Sequence, residues 1–234
     1  MTAWEMLETG LKQIMHKFDP QVVDRLLAFS DLLLEKNKVM NLTAVTDPYE
    51  VVTRHFLDCA ALAPYMQPGA CAIDIGTGAG FPGMPLAILC PDTEFVLVDA
   101  LRKRVDFLNE VIDTLDLRNC RAVHARAEEF AADHRERFDY AVSRAVAELR
   151  VLAELTLPMV KVGGTFYAMK AADCADEVRA AAHACTELGA PSAKLVPYTV
   201  PHDGVERMLV CVQKTAPTPA QYPRRFKKIQ TTPL

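Results

Sequence analysis

The pattern of apolar and polar residues divides the chain into a helical first part and a mixed second part. Over residues 2–18, 20–36 and 48–65, apolar residues recur every three or four positions, which predicts three amphipathic helices. Asp19-Pro20 and Asp47-Pro48 stand at the start of the second and third helices, where aspartate caps a helix and proline fits its first turn. Residues 37–45 form a polar break without periodicity. We therefore predict that residues 1–66 fold as an N-terminal helical cap.

From residue 67 to residue 214, short apolar runs alternate with amphipathic stretches. Five strands are predicted by the apolar runs at 71–75, 94–98, 121–125, 138–142 and 165–169. Helical periodicity is found at 83–90, 102–115, 146–157 and 171–188. A closing hairpin is predicted at 194–200 and 207–213. This alternation predicts an α/β fold with a doubly wound, mainly parallel sheet of seven strands.

The first predicted strand runs into a glycine-rich turn. Gly76, Gly78 and Gly80 allow backbone angles that other residues avoid, and they let a ligand approach the main chain. Pro82 then fits the first turn of the following helix. The second predicted strand leads to Asp99. This order of strand, glycines, helix, strand and acid is typical of a nucleotide-binding unit, whose acid binds ribose hydroxyls.

Two ligands are compatible with this turn. Gly78-x-Gly80-x-x-Gly83 matches the dinucleotide pattern, which is weak when it stands alone. Asp74 stands two residues before the first glycine, where a carboxylate would repel a pyrophosphate but would suit the ammonium and sulfonium groups of S-adenosylmethionine. The alternative role of Asp74 is to cap the loop. We expect S-adenosylmethionine here and keep a dinucleotide as the alternative.

Composition limits the classes of protein to which the chain can belong. Of its 234 residues, 50% are hydrophobic, which is ordinary for a globular protein. No apolar run approaches the roughly 20 residues that span a bilayer, and the first residues lack the pattern of an export signal. Seven cysteines are scattered without a Cys-x-x-Cys pair, which is typical of reduced, buried thiols. We therefore expect a cytoplasmic protein without disulfides or zinc ligands.

Positive charge is concentrated at the end of the chain. Five cations and no acid follow Gln213, namely Lys214, Arg224, Arg225, Lys227 and Lys228. Because the net charge is −4, the rest of the chain carries −9. This contrast favours a polyanion as the partner of a basic tail over residues 215–234. Pro217, Pro219 and Pro223 disfavour a regular helix, so we expect an extended tail that orders on its partner, with a solvated, disordered end as the alternative.

Motifs along nearly the whole chain resemble those of one family. They are Asn41-Leu-Thr43, Arg54-His-Phe-Leu-Asp58, Asp74-Ile-Gly-Thr-Gly-Ala-Gly-Phe-Pro-Gly83, Val98-Asp99, Lys103-Arg104, Ala127-Glu128, Ser143-Arg-Ala145, Tyr167-Ala-Met-Lys170 and Gln221-Tyr-Pro-Arg-Arg225. With them the chain resembles the bacterial ribosomal RNA small-subunit methyltransferase G family, also called glucose-inhibited division protein B. The glycine motif and the Arg-His-Phe-Leu-Asp motif are specific together, although neither is specific alone.

The resemblance implies a class I methyltransferase with a Rossmann-like fold over residues 67–214. It would use S-adenosylmethionine to methylate N7 of one guanosine, position 527 in the 530 loop of 16S ribosomal RNA. Guanine N7 has a free lone pair at neutral pH, so no base must remove a proton, and placing N7 in line with the methyl group is the main task. We therefore expect no catalytic triad, no metal and no nucleophilic cysteine, with Arg144 as the candidate for a direct role.

Individual residues can be assigned to the cofactor and to RNA. The residues expected at the cofactor, mainly from the resemblance, are Gly76, Gly78, Phe81, Asp99, Ala127, Glu128 and Arg144. The residues expected at RNA, from position and charge, are His55, Lys170, Arg224, Arg225, Lys227 and Lys228. Structural alternatives are a helix cap for Asp99, a solvated helix face for Glu128 and an ion pair for Arg144.

Two other functions stay open. One is a methyltransferase that acts on a protein or a small molecule, and the other is an NAD-dependent oxidoreductase. The basic tail and Lys170 favour RNA over the first, while Asp74 and the lack of a separate substrate domain disfavour the second. We expect a monomer without a membrane partner, acting on 16S ribosomal RNA or a small-subunit particle. The sequence leaves open whether the substrate is naked RNA, the mature subunit or an assembly intermediate.

Overall fold

Seven strands form one sheet in the computed structural model, which describes residues 1–144 and 147–234. The strands are β1 (Cys71–Ile75), β2 (Glu94–Asp99), β3 (Cys120–His124), β4 (Phe138–Arg144), β5 (Val160–Ala171), β6 (Ser192–Thr199) and β7 (Glu206–Gln213). Their order is β3-β2-β1-β4-β5-β7-β6; β1 to β5 pair in parallel, and β7 is antiparallel to both neighbours. The predicted doubly wound, mainly parallel sheet is confirmed, and β1 matches its predicted residues.

The strand order determines where a ligand can bind. β1 lies at the centre of the parallel part of the sheet, with β2 on one side and β4 on the other. Successive strands run outward from β1 to β3, and the chain then crosses to β4 on the opposite side. Ligands of open α/β sheets bind outside the carboxyl ends of the strands at such a reversal. The carboxyl ends of β1, β2 and β4, at Ile75, Asp99 and Arg144, therefore border the expected site.

Both faces of the sheet are buried because side chains alternate along each strand. Ala72 and Leu97 belong to one hydrophobic core, whereas Ile73, Val96 and Val98 belong to a second core on the other face. The first core also contains the buried residues of the N-terminal helices. Burial on both faces explains why the strands read as continuous apolar runs in the sequence.

The N-terminal helices pack on the first core. They are α1 (Ala3–Ile14), α2 (Gln21–Met40), α3 (Pro48–Val51), a π-helical segment (Val52–Leu57) and α4 (Asp58–Ala60). The ring of Phe29 in α2 lies 5.7 Å from that of Phe56 and 5.6 Å from that of Phe81, which joins these helices to the loop after β1. Helix α2 continues beyond the predicted end and stops where Asn41 adopts a left-handed conformation. The division of the chain at residues 66 and 214 stays a prediction.

The predicted third helix starts as expected but changes its winding. Asp47 accepts hydrogen bonds from the backbone amides of Tyr49 and Glu50, which is the predicted cap. The π-helical segment follows, and it carries Arg54 and His55. Short π-helical segments within helices are frequent at functional sites.

The remaining helices cover the sheet on both sides. They are α5 (Gly83–Leu89), α6 (Arg102–Thr114), α7 (Ala127–Asp133), α8 (Leu149–Thr156), α9 (Ala175–Glu187) and α10 (Phe226–Thr231). α5 and α6 contact α2, whereas α7, α9 and α10 contact α8. Ala145 of the Ser143-Arg-Ala145 motif and the predicted helix start at Val146 lie outside the described residues. Within the described ranges, no helix is both long enough and apolar enough to cross a membrane.

The C-terminal segment is folded against the rest of the chain, which corrects the prediction of an extended tail. Tyr222 and Ile229 are buried, and α10 contacts α8. Lys214 is fully buried, and its ammonium donates to the carboxylate of Glu136 and to two backbone carbonyls. Pro217, Pro219 and Pro223 do not prevent α10 because all three stand before its first residue, and Pro233 follows its last.

Candidate functional site

The glycine-rich loop is tied to the end of β2. The backbone amide of Gly76 donates to the carbonyl of Val98 at 2.9 Å, and the amide of Gly78 donates to the carboxylate of Asp99 at 3.0 Å. The other oxygen of Asp99 accepts from the amide of Leu101 at 2.8 Å, which fixes the turn before α6, but no side chain of the described residues caps the helix itself, so the alternative role of Asp99 as a helix cap is wrong. The Arg104 guanidinium also donates to the first oxygen, Oδ2, at 3.4 Å. Because each carboxylate oxygen accepts about two hydrogen bonds, the capacity that Asp99 keeps for a ligand is on Oδ1.

Asp74 lies beneath the loop and does not line the cavities beside it, which corrects the ligand contact expected from the sequence. It is fully buried, and its Oδ2 accepts from the Thr77 hydroxyl and the Gly83 amide, both at 2.8 Å. Its Oδ1 finds no partner among the described residues, and burial raises the pKa of Asp74 to about 7. Asp74 therefore caps the loop. Its charge gives no reason to prefer S-adenosylmethionine over a pyrophosphate.

Two glycines of the loop are required for different physical reasons. A Cβ at Gly83 would lie 2.2 Å from a methyl carbon of Leu97 and 2.8 Å from the Asp74 carboxylate, so glycine lets α5 approach the sheet. Gly78 has a φ of +62°, and a Cβ there would meet, within 4 Å in the described ranges, just the carbonyl oxygen of Gly76 at 3.9 Å. The backbone at Gly78 thus borders open space, as a loop that cradles a ligand requires.

A cavity of about 250 Å³ lies beside the loop. Four residues expected at the cofactor line it, namely Gly76, Asp99, Ala127 and Glu128. The rest of the lining is mainly apolar and includes Leu101 and Phe226. A concave, largely apolar space with a few fixed polar groups is typical of a small-molecule site.

A second cavity, of about 390 Å³, lies at the carboxyl ends of β4 and β5. Four cationic side chains line it, namely Arg54, Arg144, Lys170 and Arg207. His55, Asp58 and Tyr198 also line it. The site therefore concentrates positive charge on one side of the sheet edge, although the chain is acidic as a whole.

Asp58 organises this second cavity. Its buried carboxylate accepts from the Arg144 guanidinium at 3.2 Å and from the Tyr198 hydroxyl at 2.8 Å. The guanidinium of Arg207 lies 3.8 Å away, and Arg144 also donates to the carbonyl of Arg54 at 3.1 Å. Burial, and then the nearby Asp58 charge, raises the pKa of Tyr198, so its hydroxyl stays a donor. Arg144 is therefore in an ion pair and at the cavity surface at once.

His55 lies between Arg144 and the loop. Its ring centroid is 4.4 Å from that of Phe81, and its two nitrogens lie 3.1 Å from the Arg144 guanidinium and 2.9 Å from the Thr43 hydroxyl. Burial, and then the charge of Arg144, lowers the pKa of His55 to about 4. The ring is therefore neutral at neutral pH and offers no charge to an RNA phosphate.

A third cavity, of about 370 Å³, connects the other two through shared residues. It shares Gly76 and Arg104 with the first cavity, and His55 and Arg144 with the second. Phe81, expected at the cofactor, also lines it, with the Arg144 guanidinium 4.7 Å from its ring centroid. A ligand in the first cavity can therefore extend toward a second ligand at Arg144.

The expected RNA-binding cations fall into two groups. Lys170 donates to the Glu177 carboxylate at 2.7 Å and to the Ala147 carbonyl at 2.8 Å, although it still lines the second cavity. Arg224 is paired with the fully buried Glu154 at 2.6 Å and is not a free cation of a tail. The exposed cations of the C-terminal segment are Arg225, Lys227 and Lys228.

The arrangement offers positioning groups rather than a thiolate nucleophile. Burial raises the pKa of Cys59, which lies near Arg144, to about 12, so its thiol stays protonated. In residues 1–144 and 147–234, no group of three or more His, Cys, Asp or Glu side chains is arranged to hold a metal.

Several side chains at these cavities were not singled out in the sequence, among them Tyr198, Arg207 and Phe226. Tyr198 and Arg207 belong to the β6–β7 hairpin, whose alternation signals strands but not a partner for Asp58. Phe226 lies in a segment that the sequence predicts to be extended. Asp58 was visible only as the end of the Arg-His-Phe-Leu-Asp motif.

The sheet order, with the antiparallel β7 between β5 and β6, defines the fold of the class I methyltransferases. Precorrin-6y C5,15-methyltransferase from Geobacter metallireducens shares the fold with a TM-score of 0.51 and 15% identity, over 76% of this chain and 92% of that one. TYW2 from M. jannaschii, solved in complex with AdoMet, shares it with a TM-score of 0.54 and 14% identity, over 66% of this chain and 73% of that one. At this level of identity the likeness concerns the fold alone.

Comparison of sequences places the chain within that class. A family model described as rRNA small subunit methyltransferase G matches residues 23–202. A ribosomal RNA small subunit methyltransferase G from Lachnoclostridium phytofermentans is 44% identical over 229 residues, covering 96% of this chain and 95% of that protein. One from Acetivibrio thermocellus is 42% identical over 233 residues, covering 98% and 96%. The chain belongs to the ribosomal RNA small subunit methyltransferase G family.

Proposed function

We propose that the chain transfers a methyl group from S-adenosylmethionine to N7 of guanosine 527 in the 530 loop of 16S ribosomal RNA. The observation that carries the proposal is the pair of connected cavities, one beside the glycine loop and Asp99, the other lined by cations around Arg144. Membership of a ribosomal RNA methyltransferase family supports RNA as the substrate. The particular base and atom come from the resemblance described above.

The residues of the first cavity fit S-adenosylmethionine. Asp99 has acceptor capacity for a ribose hydroxyl on Oδ1. Gly78 lines the third cavity, where the open space leaves room for the ligand to continue against the backbone. Ala127 and Glu128 line the first cavity and are assigned to the adenosine half. When bound, the cofactor supplies a methyl group activated by the sulfonium.

The residues of the second cavity would position the RNA. An arginine that donates to guanine O6 orients the base and leaves N7 free, a role suited to Arg144 or Arg207. The other cations would contact phosphates, which fix the register of the RNA without reading its sequence. Because N7 needs no deprotonation, the low pKa of His55 is no obstacle. The Asp58 carboxylate offsets the charge of Arg144 where the purine becomes cationic.

Two alternatives differ from the proposal in one cavity each. An oxidoreductase would bind NAD beside the glycine loop, and a methyltransferase of proteins or small molecules would place another acceptor at Arg144. The cations lining the second cavity and the family membership favour RNA over a small-molecule acceptor. Calorimetric titration with S-adenosylhomocysteine and with NAD distinguishes the cofactors.

Methyl transfer to defined RNA tests the proposal directly. We expect the purified chain to transfer tritium-labelled methyl groups to 16S ribosomal RNA, either naked or in the small subunit. Borohydride and aniline treatment, which cleaves RNA at 7-methylguanosine, should map the product to position 527. RNA carrying 7-deazaguanosine there is the matched control and should accept no label. Equal labelling of the two RNAs, or cleavage elsewhere, would contradict the proposal.

A further inference from the structure

The C-terminal helix contributes a side chain to the cavity proposed for the cofactor. Phe226, the first residue of α10, lines that cavity together with Asp99, Ala127 and Glu128. The guanidinium of Arg126 lies over the Phe226 ring, 5.8 Å from its centroid. The segment that looks in the sequence like a basic tail therefore also forms part of the wall of a binding site.

A buried ion pair holds the start of α10 in place. The Glu154 carboxylate is fully buried and accepts from Arg224 three times, from the backbone amide at 2.8 Å, from Nε at 2.8 Å and from Nη2 at 2.6 Å. Such a planar, two-pronged contact restricts orientation as well as distance. Because Arg224 is two residues before Phe226, this pair limits where the aromatic ring can lie.

Further contacts fix the chain on both sides of Arg224. The guanidinium of Arg135 donates to the Thr218 carbonyl at 2.7 Å and to the Tyr222 carbonyl. The Thr218 hydroxyl donates to the Leu188 carbonyl at 2.7 Å, and Ile229 of α10 is fully buried. A surface segment with so many fixed groups presents Phe226 in one position before any ligand arrives, which reduces the entropy lost on binding.

We propose that Phe226 is a cofactor-binding residue whose ring forms an apolar wall against the adenosine half of S-adenosylmethionine. The inference rests on the proposed function. Phe226 lines the first cavity, with Asp99 and Leu101, but it does not line the third cavity, which reaches His55 and Arg144. It therefore acts on binding of the adenosine half and not on the end of the ligand that faces the RNA.

The side chains of α10 and of the residue before it then have separate tasks. Phe226 points to the cavity, while Arg225, Lys227, Lys228 and Gln230 are exposed. An effect of Phe226 on cofactor affinity must be distinguished from an effect of the exposed cations on RNA. Gln230 is the matched control because it is a neutral, exposed residue of the same helix.

Calorimetric titration of Phe226→Ala, Phe226→Leu and Gln230→Ala with S-adenosylhomocysteine and with adenosine tests the inference. We expect Phe226→Ala to weaken both ligands about tenfold, as loss of an aromatic surface against a base does, and Phe226→Leu to weaken them less. Gln230→Ala should bind both like the wild type. In methyl transfer, Phe226→Ala should raise KM for S-adenosylmethionine and leave kcat unchanged.

The outcomes separate this inference from the proposed function. If the wild type binds S-adenosylhomocysteine and Phe226→Ala binds it equally well, the inference is wrong and the proposed function stands. If Phe226→Ala weakens S-adenosylhomocysteine but not adenosine, the ring does not contact the adenosine half and the inference is again wrong. If the wild type binds neither ligand, the proposed function itself fails. Circular dichroism and thermal melting of each variant exclude a general loss of folding.

Discussion

Replacing Gly78 with alanine tests the glycine loop, with the same replacement at Gly69 as its control. The two glycines have φ values of +62° and +78°, and a Cβ at either position meets no side chain within 4 Å in the described part of the chain. Alanine in a left-handed conformation lowers the free energy of unfolding by roughly 1–2 kcal/mol. Alanine also restricts the unfolded chain more than glycine does, which offsets about 0.4–1 kcal/mol of that loss. Both variants should therefore lose about 1 kcal/mol of stability, which lowers Tm by roughly 2–4 °C for a chain of this size.

Cofactor affinity distinguishes the two variants. At Gly78 the added methyl group enters the space where a ligand would lie, and such overpacking costs about 1–3 kcal/mol, or roughly 5- to 150-fold in Kd. Gly69 stands before β1, where its amide donates to the Asp92 carbonyl at 2.7 Å, and it lines none of the three cavities of the site. Differential scanning fluorimetry should give similar Tm losses, while titration with S-adenosylhomocysteine should show weaker binding in Gly78→Ala alone. Equal affinities in both variants would refute the assignment of the loop to the cofactor.

Three further predictions concern single groups of the structure. Burial raises the pKa of Asp74 to about 7 in the folded chain, above its value in the unfolded chain. The folded chain therefore binds this proton more tightly, and the stability that it gains is fully present below about pH 4 and is lost as the pH rises to 7. Between pH 4 and pH 7 the free energy of unfolding of the wild type should therefore fall by about 4 kcal/mol more than that of Asp74→Asn, as measured by urea unfolding. Parallel pH profiles of the two proteins would contradict the burial argument. Arg144→Lys keeps a cation beside Asp58, so we expect little change in Tm. Because an ammonium lacks the planar fork of donors of a guanidinium, we expect kcat for RNA methylation to fall at least about tenfold. A lower Tm with normal kcat would assign Arg144 to the ion pair alone. Joint replacement of Arg225, Lys227 and Lys228 with alanine should reduce the log–log salt slope of RNA binding by roughly 2 to 3 and leave S-adenosylhomocysteine affinity unchanged, because these side chains are exposed. An unchanged slope would mean that they are solvated cations without an RNA contact.

Features determined by neighbouring residues could be predicted from the sequence. The apolar run followed by glycines correctly predicted β1 and the loop after it. The Asp-Pro pair at residues 47 and 48 correctly predicted the cap of the third helix. The direction of a side chain is a different matter. The sequence around Asp74 is the same whether its carboxylate faces a ligand or lies beneath the loop. Its hydrogen bonds from Thr77 and Gly83, which form only in the folded loop, place the carboxylate beneath the loop.

Features determined by distant residues could not be predicted. The count of charges at the C-terminus gave no sign that Lys214 and Arg224 are paired with Glu136 and Glu154, because the partners lie 78 and 70 residues earlier. The same limit hid Tyr198 as the partner of Asp58. A local pattern reports how a segment can fold, but it does not report which buried charge a cation will meet.

The hydrogen bonds of Asp58 also have a consequence for the order in which the two main cavities form. The Gly78–Asp99 contact of the loop closes 21 residues, whereas the contacts of Asp58 with Arg144 and Tyr198 close 86 and 140 residues. Loop closure becomes more costly in entropy with length, by about 2 kcal/mol between the shortest and longest of these loops. We therefore expect the glycine loop to form before the cation-lined cavity. Kinetically, Asp58→Asn should mainly accelerate unfolding, while destabilising changes between Cys71 and Asp99 should slow folding.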